Sequence, residues 1–163
     1  MVREESQLGF IATQSGAPFS GEFTNYESFI LFDVMNLSES VARIDIQTES
    51  VITYAKDRDQ LLQTPEWLDT IGQPVATWQS TRFEQLGNTQ FRALGDLTLK
   101  GVKYPTILDF ELKIEGETAR MSGEAKLDRT KWSIGTGSWE TEEIVGHDVR
   151  VTVELVARKG VSP

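Results

Sequence analysis

The chain has 163 residues, 39% of them hydrophobic and 25% charged, with a formal net charge of −9 at pH 7 and no cysteine. That length suits one domain, residues 1–163, with a sizeable core, and the composition is that of a soluble globular protein. A carboxylate-rich surface with a pI near 4.7 repels phosphate backbones and anionic head groups, which argues against nucleic-acid binding and against broad electrostatic docking on a membrane.

The lack of cysteine removes disulfides, thiolate chemistry and zinc-finger patterns. The longest strongly apolar run, Phe29-Ile30-Leu31-Phe32, is far short of the roughly 20 residues a helix needs to cross a bilayer, so no membrane span is expected. Met1-Val2-Arg3-Glu4-Glu5-Ser6 carries acids and no apolar stretch of the secretory kind. A cytosolic chain and a mature exported chain both remain open.

Period-2 alternation, the mark of strands with one buried and one wet face, recurs along the chain. Strands are expected near residues 6–13, 17–24, 29–33 and 41–49; in the last of these Ala42, Ile44 and Ile46 alternate with Arg43, Asp45 and Gln47. Residues 57–70 change to helical spacing, with Leu61, Leu62, Trp67 and Leu68 as the apolar positions. Asp57 with Gln60 reads as an N-cap pair, and Thr64-Pro65-Glu66 as a second helix start, so one or two short helices are expected over one barrel end. Strands near 75–86 and 89–99 are joined at Gly87-Asn88, and strands over 104–114 and 118–128 at Glu115-Gly116-Glu117. The final strand sets Val149, Val151, Val153, Leu155 and Ala157 against Asp148, Arg150, Thr152 and Glu154. The total is eight to nine antiparallel strands in an all-β chain.

The inward positions mix small residues (Ala12, Gly21, Ala42, Ala93, Gly95, Ala119, Gly123 and Ala125) with Phe10, Phe23, Phe32, Phe91 and Phe110. Small residues inside a barrel of about eight strands leave room for one slender ligand. Small residues facing large ones across a solid core fit the same pattern, and the residues alone leave both readings open.

Groups that could carry catalysis are sparse. The single histidine, His147, stands beside Asp148 at a strand entry, and no G-x-S-x-G presents a serine to it, so neither a triad nor a histidine metal site is indicated. Asp57-Arg58-Asp59 reads as local ion pairs and caps rather than an acid/base pair. Gly135-Thr136-Gly137-Ser138 has no lysine at phosphate-loop spacing and reads as a connecting loop. Four tryptophans, at 67, 78, 132 and 139, fit a core or the rim of an apolar site.

Read in order, the motifs resemble one family over nearly the whole chain. They are Ser6-x-Leu8-x-Phe10, Gly21-x-Phe23, Ile30-x-Phe32-Asp33, Ser50-Val51-x-Thr53, Arg58-Asp59-x-x-Leu62, Trp67-Leu68-Asp69 and Pro74-x-x-x-Trp78-x-Ser80. The most specific segment, Gly95 to Val102 with Pro105, follows, and then come Arg129-Thr130-Lys131-Trp132 and Val145-Gly146-x-Asp148-Val149. This pattern is similar to that of the YceI-like, lipocalin-like, polyisoprenoid-binding proteins. The resemblance implies an extended eight-stranded antiparallel barrel that holds an isoprenoid, a quinone-like molecule or an amphiphilic acyl chain, with no catalysis and no cofactor. It implies a bacterial, mostly periplasmic protein, with cytoplasmic members known and homodimers among the assemblies of the family. Gln14 stands where many relatives have histidine, and Ser133 where glycine is common.

Inward parity and family position together select Phe10, Phe23, Phe32, Ile44, Trp78, Phe91, Leu99, Phe110 and Trp132 as ligand contacts, with Arg58 and Arg129, and also Lys131, for a polar head at the mouth. Burial of each CH₂ is worth roughly 0.8 kcal/mol. About twenty buried carbons would outweigh an association cost of roughly 4–15 kcal/mol without any catalytic group. A hydrolase or isomerase acting on the bound lipid, and a structural barrel without ligand, are the competing expectations.

Overall fold

The computed structural model describes residues 1–158. Ten antiparallel strands form one curled sheet: β1 (Gln7–Gln14), β2 (Ala17–Phe23), β3 (Tyr26–Leu31), β4 (Val41–Gln47), β5 (Val51–Ile52), β6 (Val75–Gln85), β7 (Gln90–Leu99), β8 (Val102–Glu115), β9 (Thr118–Asp128) and β10 (Asp148–Arg158). Their order across the sheet is β3-β4-β6-β7-β8-β9-β10-β1-β2-β5. One α-helix, α1 (Lys56–Leu62), lies between β5 and β6.

Ten strands stand where the alternation predicts eight to nine and the resemblance eight, and β5, set off from β4 by a bend, is the one not expected. Only Thr24 and Asn25 separate β2 from β3, and a 3-10 turn over Thr48–Ser50 separates β4 from β5. β3 pairs with β4 while β2 pairs with β5, so the two bent segments run side by side. Across the bends the Gln47 amide donates to the Asn25 carbonyl at 2.9 Å and the Thr24 amide to the Ser50 carbonyl at 3.3 Å. Each terminal strand of the sheet thus continues a strand near the opposite end, and the sheet curls round as an all-β barrel, which limits its unpaired edges.

Short hairpins set the register. Ser15 and Gly16 (φ 51° and 78°) join β1 to β2, and Lys100 and Gly101 (φ 53° and 76°) join β7 to β8. Two successive positive φ values match the right-handed twist of the flanking strands. The sequence pattern points to neither turn as clearly as to Gly116, whose φ of 61° sits between β8 and β9.

The helical segment is placed as expected but capped differently. Its N-cap is Ala55, with no side-chain cap, so Asp57 does not cap it. Asp59 instead reaches back, and its Oδ1 accepts from the Thr53 amide at 2.7 Å and the Thr53 hydroxyl at 2.6 Å. Thr64 does not start a second helix. Its hydroxyl donates to the Leu61 carbonyl at 2.7 Å, one of the orphan acceptors at the end of α1, so it is spent closing the first helix. The chain then turns, with the Trp67 and Asp69 amides donating to the Thr64 carbonyl at 3.0 and 2.9 Å.

The interior divides into two unlike ends. Ala42, Phe83, Phe91, Ala93 and Phe110 pack with Phe32, Val34 and Leu37 into a solid cluster. Phe32 meets Phe83, Phe91 and Phe110 edge to face at centroid distances of 5.1, 5.4 and 5.8 Å. At the other end Val51, Trp67, Leu68, Trp132 and Ile134 gather residues from α1, β7 and the loop over 129–147 around a cavity. Solid core and cavity, the two alternatives that the inward pattern leaves open, thus occupy opposite ends of one barrel.

Candidate functional site

The cavity has a volume of about 210 Å³. Strand parity builds its wall: Leu8, Phe10 and Ala12 from β1, Ile44 and Ile46 from β4, Leu97 and Leu99 from β7, and Val149, Val151 and Val153 from β10. α1 contributes Leu62, the turns after it Trp67 and Leu68, and the loop over 129–147 Arg129, Trp132, Ile134 and Val145. Among the lining side chains only Thr106, Arg129, Trp67, Trp78 and Trp132 carry a polar atom.

Most of those polar atoms are already engaged. Trp78 Nε1 donates to the Thr106 hydroxyl at 2.8 Å, which donates to the Gly95 carbonyl at 3.0 Å. Trp132 Nε1 donates to the Leu97 carbonyl at 2.9 Å.

Arg129 is 4% exposed. Its Nε donates to the Gly146 carbonyl at 2.9 Å, and Nη1 to the carbonyls of Ile134 and Gly135 at 2.8 and 3.4 Å. Nη2 donates to those of Trp139, Thr141 and Val145 at 2.6, 3.2 and 2.8 Å. Every N–H of the guanidinium, five in all, is thus committed to backbone oxygen. Burial pulls its pKa below the ordinary arginine value, against the opposing pull of Asp128 and Glu142. Arg129 is therefore the hub on which the loop is wound, and it keeps no donor for a ligand head group.

Arg58 is different. It lies outside the cavity lining, half-buried, with its guanidinium 4.0 Å from the ring centroid of Phe19, which does line the cavity. Its Nε donates to Gln14 Oε1 at 3.2 Å and its Nη1 to the Thr53 carbonyl at 3.4 Å. Lys131 is exposed, with Nζ 5.7 Å from the Tyr104 ring.

Of the residues selected from sequence, Phe10, Phe23, Ile44, Trp78, Leu99, Trp132 and Arg129 line the cavity. Phe32, Phe91 and Phe110 do not, because they fill the opposite end with one another. Leu62, Trp67 and Leu68, expected to face the interior from the helical segment, also line it, whereas nothing in the sequence points to Ile134 and Val145. Trp67 and Leu68 follow from the helical spacing over 57–70, but Ile134 and Val145 lie in a loop without periodicity and reach the cavity only because Arg129 folds that loop inward.

Other clusters offer less. His147 Nε2 lies 2.6 Å from the Glu140 carbonyl oxygen and Nδ1 3.5 Å from Glu142, both within its own loop. A cleft on the outer face is bordered by Asp109, Glu111, Glu124 and Glu154. Among the described residues no group of three or more His, Asp or Glu is placed to hold a metal ion.

An antiparallel barrel with an apolar interior cavity at one end, screened by a short helix, defines a lipocalin-like architecture. The chain matches the YceI-like domain over residues 1–157 and belongs to that family. It is 30% identical over 145 residues to Protein YceI of Escherichia coli O157:H7, covering 85% of this chain and 74% of that protein. Its fold is similar to the crystal structure of Burkholderia cenocepacia BcnA, with a TM-score of 0.91, 24% identity, and 95% and 98% of the two chains covered. It is also similar to a polyisoprenoid-binding domain from Saccharophagus degradans implicated in plant cell wall breakdown, with a TM-score of 0.70, 15% identity, and 95% and 94% coverage.

Proposed function

We propose that this protein binds and carries a long apolar lipid, an isoprenoid or quinone-like molecule, with its chain in the cavity. The observation that carries the reading is the lining: no carboxylate, histidine or serine is among its side chains, and its few polar atoms are nearly all bonded to the protein. Such a surface rewards burial of CH₂ groups and supplies no acid, base or nucleophile for turnover. At about 210 Å³ the cavity is smaller than the roughly 300–1,000 Å³ pockets that enclose drug-sized ligands, so it suits a slender chain that ends against the phenylalanine cluster. The polyisoprenoid-binding domain of like fold supports the ligand class. The family resemblance supports a periplasmic setting and a homodimer, which cell fractionation and light scattering test.

The test is a titration of the purified protein with farnesol, followed through the fluorescence of Trp67, Trp78 and Trp132. Saturable quenching or a blue shift is expected. An emission spectrum unchanged across the titration, with no farnesol retained after gel filtration, contradicts the reading.

A further inference from the structure

Phe32 is the one ring of the phenylalanine cluster that does not stand on a strand. Phe83, Phe91 and Phe110 belong to β6, β7 and β8, three neighbours in one wall. Phe32 follows the end of β3, and β4 lies between β3 and that wall. Its ring still meets all three, at 5.1, 5.4 and 5.8 Å between centroids. Ala42, the β4 member of the cluster, has no side chain beyond Cβ to stand in the way. The Phe32 ring therefore crosses the interior, whereas the Trp78 indole lies along the wall, over Gly95 and against Thr106. Trp78 and Leu108 both line the cavity and pack against the cluster, so the cluster is the cavity floor. Beyond it the inner face of β8 stays apolar: Ile114 follows Phe110 and Leu112 at every second residue and is 62% exposed. The link that carries Phe32 closes on itself. The Asp33 amide donates to Ser40 Oγ at 3.0 Å, the Met35 amide to Asp33 Oδ1 at 2.9 Å and the Asn36 amide to the Asp33 carbonyl at 3.0 Å.

We propose that Phe32 is a specificity-determining residue: its ring is the stopper that sets the longest chain the barrel accepts. This rests on the carrier reading and adds to it a limit on chain length and the residue that imposes the limit. A chain threading the cavity gains with every carbon it buries. Once its end meets the cluster, a further carbon must stay in water at the mouth or push a ring aside. Phe83, Phe91 and Phe110 are held in strands paired with their neighbours and cannot withdraw without breaking the sheet. Phe32 is held by its three edge-to-face contacts and by burial of its ring, and a longer chain would have to forfeit both to pass. The floor is therefore firm while the ring is in place, and the ring is its one removable part. Without it the cavity continues toward Leu112 and Ile114, whose apolar side chains already face that way.

The experiment compares geraniol, farnesol and geranylgeraniol, which share a head group and grow by one isoprene unit at a time, by displacement of bound cis-parinaric acid. The wild-type protein is expected to gain about tenfold or more in affinity from geraniol to farnesol and nothing from farnesol to geranylgeraniol. Phe32→Ala should bind geranylgeraniol about tenfold or more tightly than farnesol. Phe32→Leu keeps a smaller apolar plug and disturbs the packing less, and it should shift the preference the same way by about threefold. The ratio of two affinities within one protein does not depend on the fraction that is folded, and if Phe32→Ala does not fold, Phe32→Leu decides alone. A wild-type protein that gains as much from the last isoprene unit as from the one before, or variants that keep the wild-type order, overturn the role of Phe32 and leave the carrier reading standing. Displacement of the probe by none of the three alcohols overturns both.

Discussion

The indole of Trp78 occupies the space that a side chain at Gly95 would take: a Cβ there would overlap Cζ2 and Cε2 of the ring. Phe10 stands in the same relation to Gly21, its direct cross-strand partner, and Phe110 to Gly123, where a Cβ would sit 2.9 Å from the Phe110 Cβ. The glycines let these aromatic rings lie along the wall. Gly95→Val should therefore displace Trp78, break its hydrogen bond to Thr106 and destabilise the fold by roughly 2–4 kcal/mol. Urea denaturation measures this, and a loss under about 0.5 kcal/mol would show that the ring moves freely.

Arg129 leads to a second expectation. Arg129→Met keeps much of the volume but orphans six carbonyls in the loop that forms one cavity wall. The cost should be about 3–5 kcal/mol, with Ile134 and Val145 lost from the lining and ligand affinity falling with them. Arg129→Lys should not restore stability, because an ammonium offers three donors and no planar fork. Thermal unfolding of both variants provides the comparison.

Asp128 gives a pH dependence. Its Oδ1 accepts from the Thr130 hydroxyl at 2.6 Å and the Thr130 amide at 2.9 Å, capping the 3-10 turn over Arg129–Trp132. The Thr130 hydroxyl foremost, then its amide, His147 and Lys131, hold this carboxyl below its ordinary pKa against the effect of burial. A depressed pKa in the folded state means that its stabilisation is present above the unfolded value of about 3.9 and is lost as pH falls through the folded value. Asp128→Ala should cost about 1 kcal/mol from pH 5 to 8, and that margin should narrow below about pH 4. A margin independent of pH down to pH 2 would contradict this.

With Arg129 spent on its loop, Arg58 and the exposed Lys131 are left for head-group recognition; Arg58 lies against the cavity-lining Phe19, and its contacts to Gln14 and Thr53 are long. Arg58→Ala should weaken farnesyl phosphate binding about tenfold or more, in keeping with roughly 1.5–3 kcal/mol for a charged hydrogen bond, and leave farnesol nearly unaffected. Thermal stability should change by less than about 1 kcal/mol, since the group is only half-buried and both its hydrogen bonds are long. Equal loss for both lipids, with a large drop in stability, would make Arg58 a structural residue.

Alternation in β1, β4, β7 and β10 carried the strand positions and most of the cavity wall, because a half-buried strand writes its inward face into the sequence at every second residue. The strand ends at both bends are legible, near residues 24 and 49, but the continuation of the chain across them is not: Thr24-Asn25 and Thr48–Ser50 lack glycine and proline, and the pairing of the bent segments is set by contacts distant in sequence. Parity could not separate Phe10 and Phe23, which line the cavity, from Phe32, Phe91 and Phe110, which fill the far end, since height along the barrel depends on register. The role of Arg129 was equally hidden. Its partners are all backbone carbonyls, which leave no pattern in side-chain identity. Ser133 was hidden too: its φ of 55° is a left-handed conformation that favours glycine, and a serine there gives no sign of it.

The central claim, that the cavity holds a lipid chain, is tested most directly by native mass spectrometry of the protein purified from cells without detergent or added lipid. The account predicts a second charge-state series, heavier by the mass of one hydrophobic molecule, which collapses to the apoprotein on collisional activation. A single apoprotein series, unchanged after incubation with farnesol, would contradict it.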